Sequence, residues 1–188
     1  MGLSIIANNC SGWKMYCDLH QQYASPTIAL QILPEEYPKF CNNLKYYMDQ
    51  ELTECKDLTK AHYAQIKRLI ETEPYFPIGR LDDIAVLFQH ETDFNTAREK
   101  WNRRKERIDY DNLVYMFCLD YPRYQKEAQE FKDLGLKKSF VFTRDFDIKG
   151  DHYRYTVPSG NPDLCYLNTD GPHHYIFEGN FNRGLLWS

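Results

Sequence analysis

The chemistry in this chain starts with a thiol set among amides. Asn8-Asn9-Cys10-Ser11 follows the apolar run Leu3-Ser4-Ile5-Ile6-Ala7 directly. A cysteine between a strand and a helix N-terminus is acidified by the helix dipole and by free backbone N–H groups. A neighbouring imidazole acidifies it further. His90 follows another apolar run, Ile84 to Phe88, and is well placed if the two strands lie side by side. In that arrangement Cys10 is the nucleophile and His90 the general base. Asn8 or Asn9, with helix N–H groups, stabilises an oxyanion, and Ser11 shares the loop as a ligand-binding candidate. Arg144, just past a later strand, and Arg104, on a basic helix, are candidates to hold a phosphate. Each residue also has a plain structural explanation. A buried free cysteine packs as a small apolar group, and a histidine at a strand end bonds a loop carbonyl.

Other readings find less support. The chain has no Gly-x-Ser-x-Gly, Walker or Gly-x-Gly-x-x-Gly motif, so no cofactor is assigned. Cys10, Cys17 and His20 lack the paired spacing of a zinc module, so no metal is assigned either. Asp82-Asp83 is a tempting metal pair, although adjacent aspartates are commonly turn residues. In a parallel sheet they lie at the opposite edge from His90, unless Pro77 to Phe88 contains a hairpin. The helix AREKWNRRKERI presents Lys100, Arg103 and Arg107 on one face. With Glu99 and Glu106 interspersed, that face reads as a solvated charge pattern.

The elements that would position these groups are legible in outline. Short apolar runs at 4–7, 27–33, 84–88, 113–119 and 139–143 read as strands, with a sixth possible at 164–167. Helical spacing covers 13–23, 35–49, 94–108 and 124–134, with a weaker pattern at 58–71. Asp93 and Thr96-x-x-Glu99 offer caps for the third of these, and Gly135 ends the fourth. Strands that are apolar throughout and alternate with helices predict a parallel sheet covered on both faces. The expected fold is α/β: one three-layer α/β/α domain over residues 1–188 with a mainly parallel, Rossmann-like sheet. Ligands in such sheets bind outside the carboxyl ends of the strands, and this edge gathers the candidate residues.

Composition bounds the function classes. The 188 residues suffice for one sizeable core. A net charge of −4 gives no reason to expect a nucleic-acid partner. No run approaches the 18 apolar residues of a membrane span, and Met1-Gly2-Leu3 lacks the basic start of a signal peptide. The six cysteines are then expected as thiols in the cytoplasm. Aromatics reach 15%, including 15 tyrosines, which suits either a Tyr-rich core or contacts to sugars and flat ligands.

The stretches IIANNCSGWKMYCDLHQQYASPTIAL, FPIGRLDDIAVLFQHETDFNTAREKWNRRKERIDYDNLVYMF and VFTRDF, in this order, carry a resemblance. They are similar to a bacterial family of unknown function whose members are often labelled exopolysaccharide biosynthesis proteins. The resemblance runs from about Ser4 to Thr143. Where that family usually has Cys-Trp-Gly, this chain has Cys10-Ser11-Gly12-Trp13, which moves the aromatic away from the cysteine. Asn9-Cys10 also overlaps the Gly-Asn-Cys-Gln of a family of capsule acyltransferases. The resemblance implies a role in surface-polysaccharide assembly. The expectation is a transferase acting on a glycan or its activated precursor, with acyl transfer through Cys10 and His90. A metal-dependent glycosyltransferase and a non-catalytic glycan-binding protein are the alternatives. The expected partner is a small-molecule or glycan substrate, and the sequence leaves the oligomeric state open.

Overall fold

The computed structural model of the protein describes residues 2–56, 76–119, 121–144 and 146–155. The helical pattern at 58–71 and the strand at 164–167 lie outside them.

Four strands form a parallel sheet: β1 (Ser4–Ala7), β6 (Leu113–Leu119), β7 (Ser139–Arg144) and β8 (Tyr153–Tyr155), in the order β1-β6-β7-β8. Side chains alternate across its faces, and both faces are covered, so its strands read as unbroken apolar runs. Ile5, Ala7, Met116, Cys118 and Phe142 pack on one side with Met15 and Tyr16 of α1 (Ser11–Asp18). Ile6, Phe117, Leu119 and Val141 face the larger core on the other side. That core is built by α2 (Tyr37–Asn42), α3 (Leu44–Asp49), α4 (Phe94–Lys105) and α5 (Gln125–Asp133).

The remaining strands correct the expectation of one mainly parallel sheet. The runs at 27–33 and 84–88 enter a second, antiparallel sheet. It consists of β2 (Gln31–Ile32), β3 (Thr53–Glu54), β4 (Ile78–Leu81) and β5 (Ile84–Leu87), in the order β2-β5-β4-β3. The 84–88 run is apolar throughout because this sheet, too, is covered on both faces. Ile84 and Val86 enter the large core, while Ala85 and Leu87 join Leu33, Phe76 and Ile78 in a separate cluster. Continuous hydrophobicity reports burial on two faces and says nothing of strand direction.

Residues 77–88 do contain a hairpin: Leu81 pairs with Ile84, and Asp82-Asp83 form its turn. Asp82 takes a left-handed φ of 52°, which Asp tolerates better than most residues. Both aspartates fasten the turn to α3. Tyr46 Oη donates to Asp82 at 2.7 Å and Tyr47 Oη to Asp83 at 2.9 Å, and Lys39 pairs with Asp83. The Lys39 ammonium holds the Asp83 carboxyl below its ordinary range.

Helix boundaries also shift. The pattern at 35–49 is two short helices broken at Asn43, whose φ and ψ of −122° and 33° leave the helical region. Asp93 caps α4, its carboxylate accepting from Thr96 N–H at 2.9 Å and from Thr96 Oγ1 at 2.7 Å. Among the described residues no helix is long and apolar enough to cross a membrane.

Candidate functional site

β1 is an edge strand, and side chains replace a neighbour along its free edge. Tyr16 Oη accepts from Ile5 N–H at 2.9 Å and donates to the Leu3 carbonyl at 3.0 Å. Thr27 Oγ1 accepts from Ala7 N–H at 3.1 Å and donates to the Ile5 carbonyl at 3.3 Å. Sequence position alone would leave these backbone groups unpaired and costly.

Beyond Ala7 the chain leaves the sheet through Asn8. Its side chain continues the pairing to β6: Oδ1 accepts from Cys118 N–H at 2.8 Å, and Nδ2 donates to the Cys118 carbonyl at 3.0 Å. Asn9 then turns the chain into α1. Its Oδ1 accepts from Ser11 N–H at 3.1 Å and from Ser11 Oγ at 2.7 Å. Ser11 Oγ also meets Cys118 Sγ at 3.2 Å. These three polar side chains, all buried, fix the loop that carries Cys10.

The sulfur of Cys10 lies 3.1 Å from His90 Nε2. The two residues are 80 positions apart, and their strands are not neighbours: β1 pairs with β6. β2 makes the link instead. Ile32 N–H donates to the Asn8 carbonyl at 2.8 Å, and Gln31 and Ile32 pair with Leu87 and Val86. The second sheet is thereby tied to the carboxyl end of β1, and the loop after β5 brings His90 onto the thiol.

Electrostatics at the pair differ from the expectation of an acidified thiol. Cys10 is 6% exposed, and burial pushes the thiol up to about 11. Desolvation outweighs the dipole of an eight-residue helix, whose first N–H is already capped by Asn9. Burial thus favours the neutral thiol, which donates to Nε2 in the imidazole tautomer that carries its proton on Nδ1. His90 itself is exposed, so the imidazole forms the solvent side of the site and the sulfur its floor. The neighbouring carboxylate, Glu91, is held by Lys100 at 2.6 Å and 2.8 Å. Among the described residues no carboxylate bonds the imidazole, and no group of three His, Cys, Asp or Glu side chains could hold a metal.

The structure brings Asn8, Asn9, Cys10, Ser11 and His90 together. It separates the two arginines from them. Arg144 ends β7, on the same sheet edge but two strands from β1, about 10 Å across. Arg104 lies ten residues into α4, about 15 Å along the axis from Phe94. Its guanidinium stacks 5.7 Å from the Tyr23 ring centroid and donates to the Ile28 carbonyl at 3.2 Å. It secures the segment that covers the edge of β1. The sequence reading missed Cys118, whose backbone and sulfur organise the loop. It also missed Gly12, where a Cβ would stand 2.9 Å from Ala7 Cβ. Only a glycine lets α1 start this close to β1.

Residues 1–153 match the family described as Domain of unknown function (DUF1919). A protein of Haemophilus influenzae named only as uncharacterized is 30% identical over 142 residues, covering 76% of this chain and 62% of that protein. The chain thus spans less than two thirds of that relative's length. The family match covers the loop of Cys10, the loop of His90, the antiparallel sheet and the parallel sheet as far as the first residue of β8, and the chain belongs to the DUF1919 family.

Proposed function

We propose that the protein is a transferase of cell-surface polysaccharide assembly that moves an acyl group through Cys10 with His90 as general base. The 3.1 Å contact between Cys10 Sγ and His90 Nε2 carries the reading. It joins a thiol and an imidazole at a sheet edge where ligands of α/β proteins bind. The polysaccharide context draws on the sequence resemblance.

The chemistry follows from the neutral thiol. Attack on the carbonyl carbon of an activated acyl donor forms the S–C bond as Nε2 takes the thiol proton. Collapse of the tetrahedral adduct breaks the bond to the leaving group, which receives that proton from Nε2. An acceptor hydroxyl then gives its proton to Nε2 and attacks the thioester carbonyl. The acyl–oxygen bond forms, the S–C bond breaks, and Cys10 is reprotonated. A general base is required because burial holds the resting sulfur as a thiol. The Gly12 N–H in the first turn of α1 is the donor that suits the oxyanion, since the Ser11 N–H bonds Asn9, the Trp13 N–H bonds the Cys10 carbonyl and the side-chain amide of Asn8 is engaged with Cys118.

Incubation with acetyl-CoA or succinyl-CoA, followed by intact-mass and peptide analysis, tests the mechanism. The expected result is an acyl adduct on Cys10 that is absent from Cys10→Ala and at least 100-fold slower to form in His90→Gln. Full transfer activity in Cys10→Ala would exclude the thiol. A stabilising shift with nucleotide sugars in place of acyl donors would redirect the reading to glycosyl transfer.

A further inference from the structure

The β6 strand ends at Leu119, one residue beyond the Cys118 backbone that holds Asn8. Just past it stands an aromatic and cationic stack. The Arg123 guanidinium lies 5.1 Å from the Tyr121 ring centroid and 4.7 Å from that of Tyr124. Arg123 also donates to Tyr124 Oη at 2.8 Å. Tyr124 is buried and roots the stack in the large core. Tyr121 meets it edge-on, with centroids 6.5 Å apart, and is 52% exposed. Among the described residues the other exposed tyrosines are engaged elsewhere: Tyr46 bonds the Asp82 turn, and Tyr110 lies under Lys45.

We infer that Tyr121 and Arg123 form a binding subsite for an acidic sugar ring on the same carboxyl edge of the parallel sheet as Cys10. The inference rests on the glycan-transfer reading and deepens it by naming the acceptor class. Position is the first argument. Tyr121 lies three residues beyond Cys118, at most about 11 Å along the chain, and on the carboxyl edge of the parallel sheet. Chemistry is the second. An open tyrosine face packs against the C–H face of a sugar ring, and its hydroxyl bonds the ring's oxygens. The Arg123 guanidinium stacked on it favours a carboxylate or phosphate substituent over a neutral sugar. Rigidity is the third. A tyrosine held by a cation and a second ring loses little freedom when a ligand arrives.

Calorimetric titration of the full chain with oligogalacturonide, glucose 1-phosphate and neutral maltohexaose tests the subsite. Oligogalacturonide or glucose 1-phosphate, whichever binds more tightly, should exceed maltohexaose at least tenfold; the winner tells a carboxylate from a phosphate substituent. Tyr121→Ala should weaken that ligand at least tenfold, Tyr121→Phe should retain most of the affinity, and Arg123→Met should erase the preference for the acidic ligand. Unchanged binding in Tyr121→Ala, equal affinity for neutral and acidic ligands, or no binding of either acidic probe would overturn the inference. Cys10→Ala should bind as the native chain does. Loss of the Cys10 adduct chemistry with Tyr121-dependent binding intact would refute acyl transfer and leave the subsite standing. The opposite pattern would refute the subsite alone.

Discussion

Asn8 and Asn9 are neighbours in sequence with different tasks. Asn8 imitates a strand residue, giving one acceptor and one donor to the Cys118 backbone, whereas Asn9 imitates a helix cap. Asn8→Ala removes the 2.8 Å acceptor of the buried Cys118 N–H and the 3.0 Å donor to its carbonyl, which keeps the 3.5 Å bond from Asn9 Nδ2. It should destabilise the protein by about 1–3 kcal/mol in urea denaturation. Replacement by Asp should not restore stability, because a carboxylate cannot donate to the carbonyl. The thiol beside them gives a second expectation. With Cys10 raised to about 11 by burial, its alkylation by iodoacetamide should be slow at neutral pH. The rate should climb about tenfold per pH unit through pH 8–10. A plateau near pH 7 would mean that a thiolate–imidazolium pair prevails over desolvation.

At the scale of elements, the joints between helices and sheets hold the informative groups. Glu36, which precedes α2, accepts from Ala85 N–H of β5 at 2.9 Å and ties that helix to the antiparallel sheet. Burial pushes its carboxyl up to about 7 from an ordinary 4.5. The folded state therefore binds this proton more tightly than the unfolded chain. The group's stabilising contribution is full below pH 4.5 and is lost as pH rises through 7. Glu36→Gln can still accept from Ala85, and it should flatten the fall in stability between pH 4.5 and 7 in denaturant titrations. An unchanged slope would place the titration elsewhere. Gly79 shows a packing limit at the same level. A Cβ there would stand 2.6 Å from Leu52 and 2.9 Å from Phe88 side-chain carbons, so β4 approaches its neighbours as only a glycine strand can.

At the scale of the whole molecule, one backbone bond joins the ends of two sheets. Ile32 N–H to the Asn8 carbonyl ties β2 to the exit of β1, and the Cys10–His90 contact sits across that joint. If the two sheets open together, the Ile32 amide should exchange hydrogen as slowly as the central amides of β6. Fast exchange at Ile32 with slow exchange in β6 would show that the sheets separate locally, and the pair with them.

Local pattern and physical type carried much of this protein in the sequence. Strand runs at 4–7, 84–88, 113–119 and 139–143, the helix capped by Asp93, and the stop at Gly135 all follow from side-chain period, capping chemistry and backbone freedom. The contact of Cys10 with His90 is expected from adjacent parallel strands, and it arises instead through β2 and the antiparallel sheet. Strand direction was not legible, because an apolar run records burial on both faces and not the partner that covers them. The break at Asn43 was hidden because the apolar stripe continues across it. Whether Asn8 would face a ligand or a backbone, and whether Arg104 would reach the site or secure a covering segment, depended on partners 110 and 76 residues away. The thiol's resting state was decided in the same way. A helix start favours the thiolate, and only the tertiary structure, by burying the sulfur, reverses that preference.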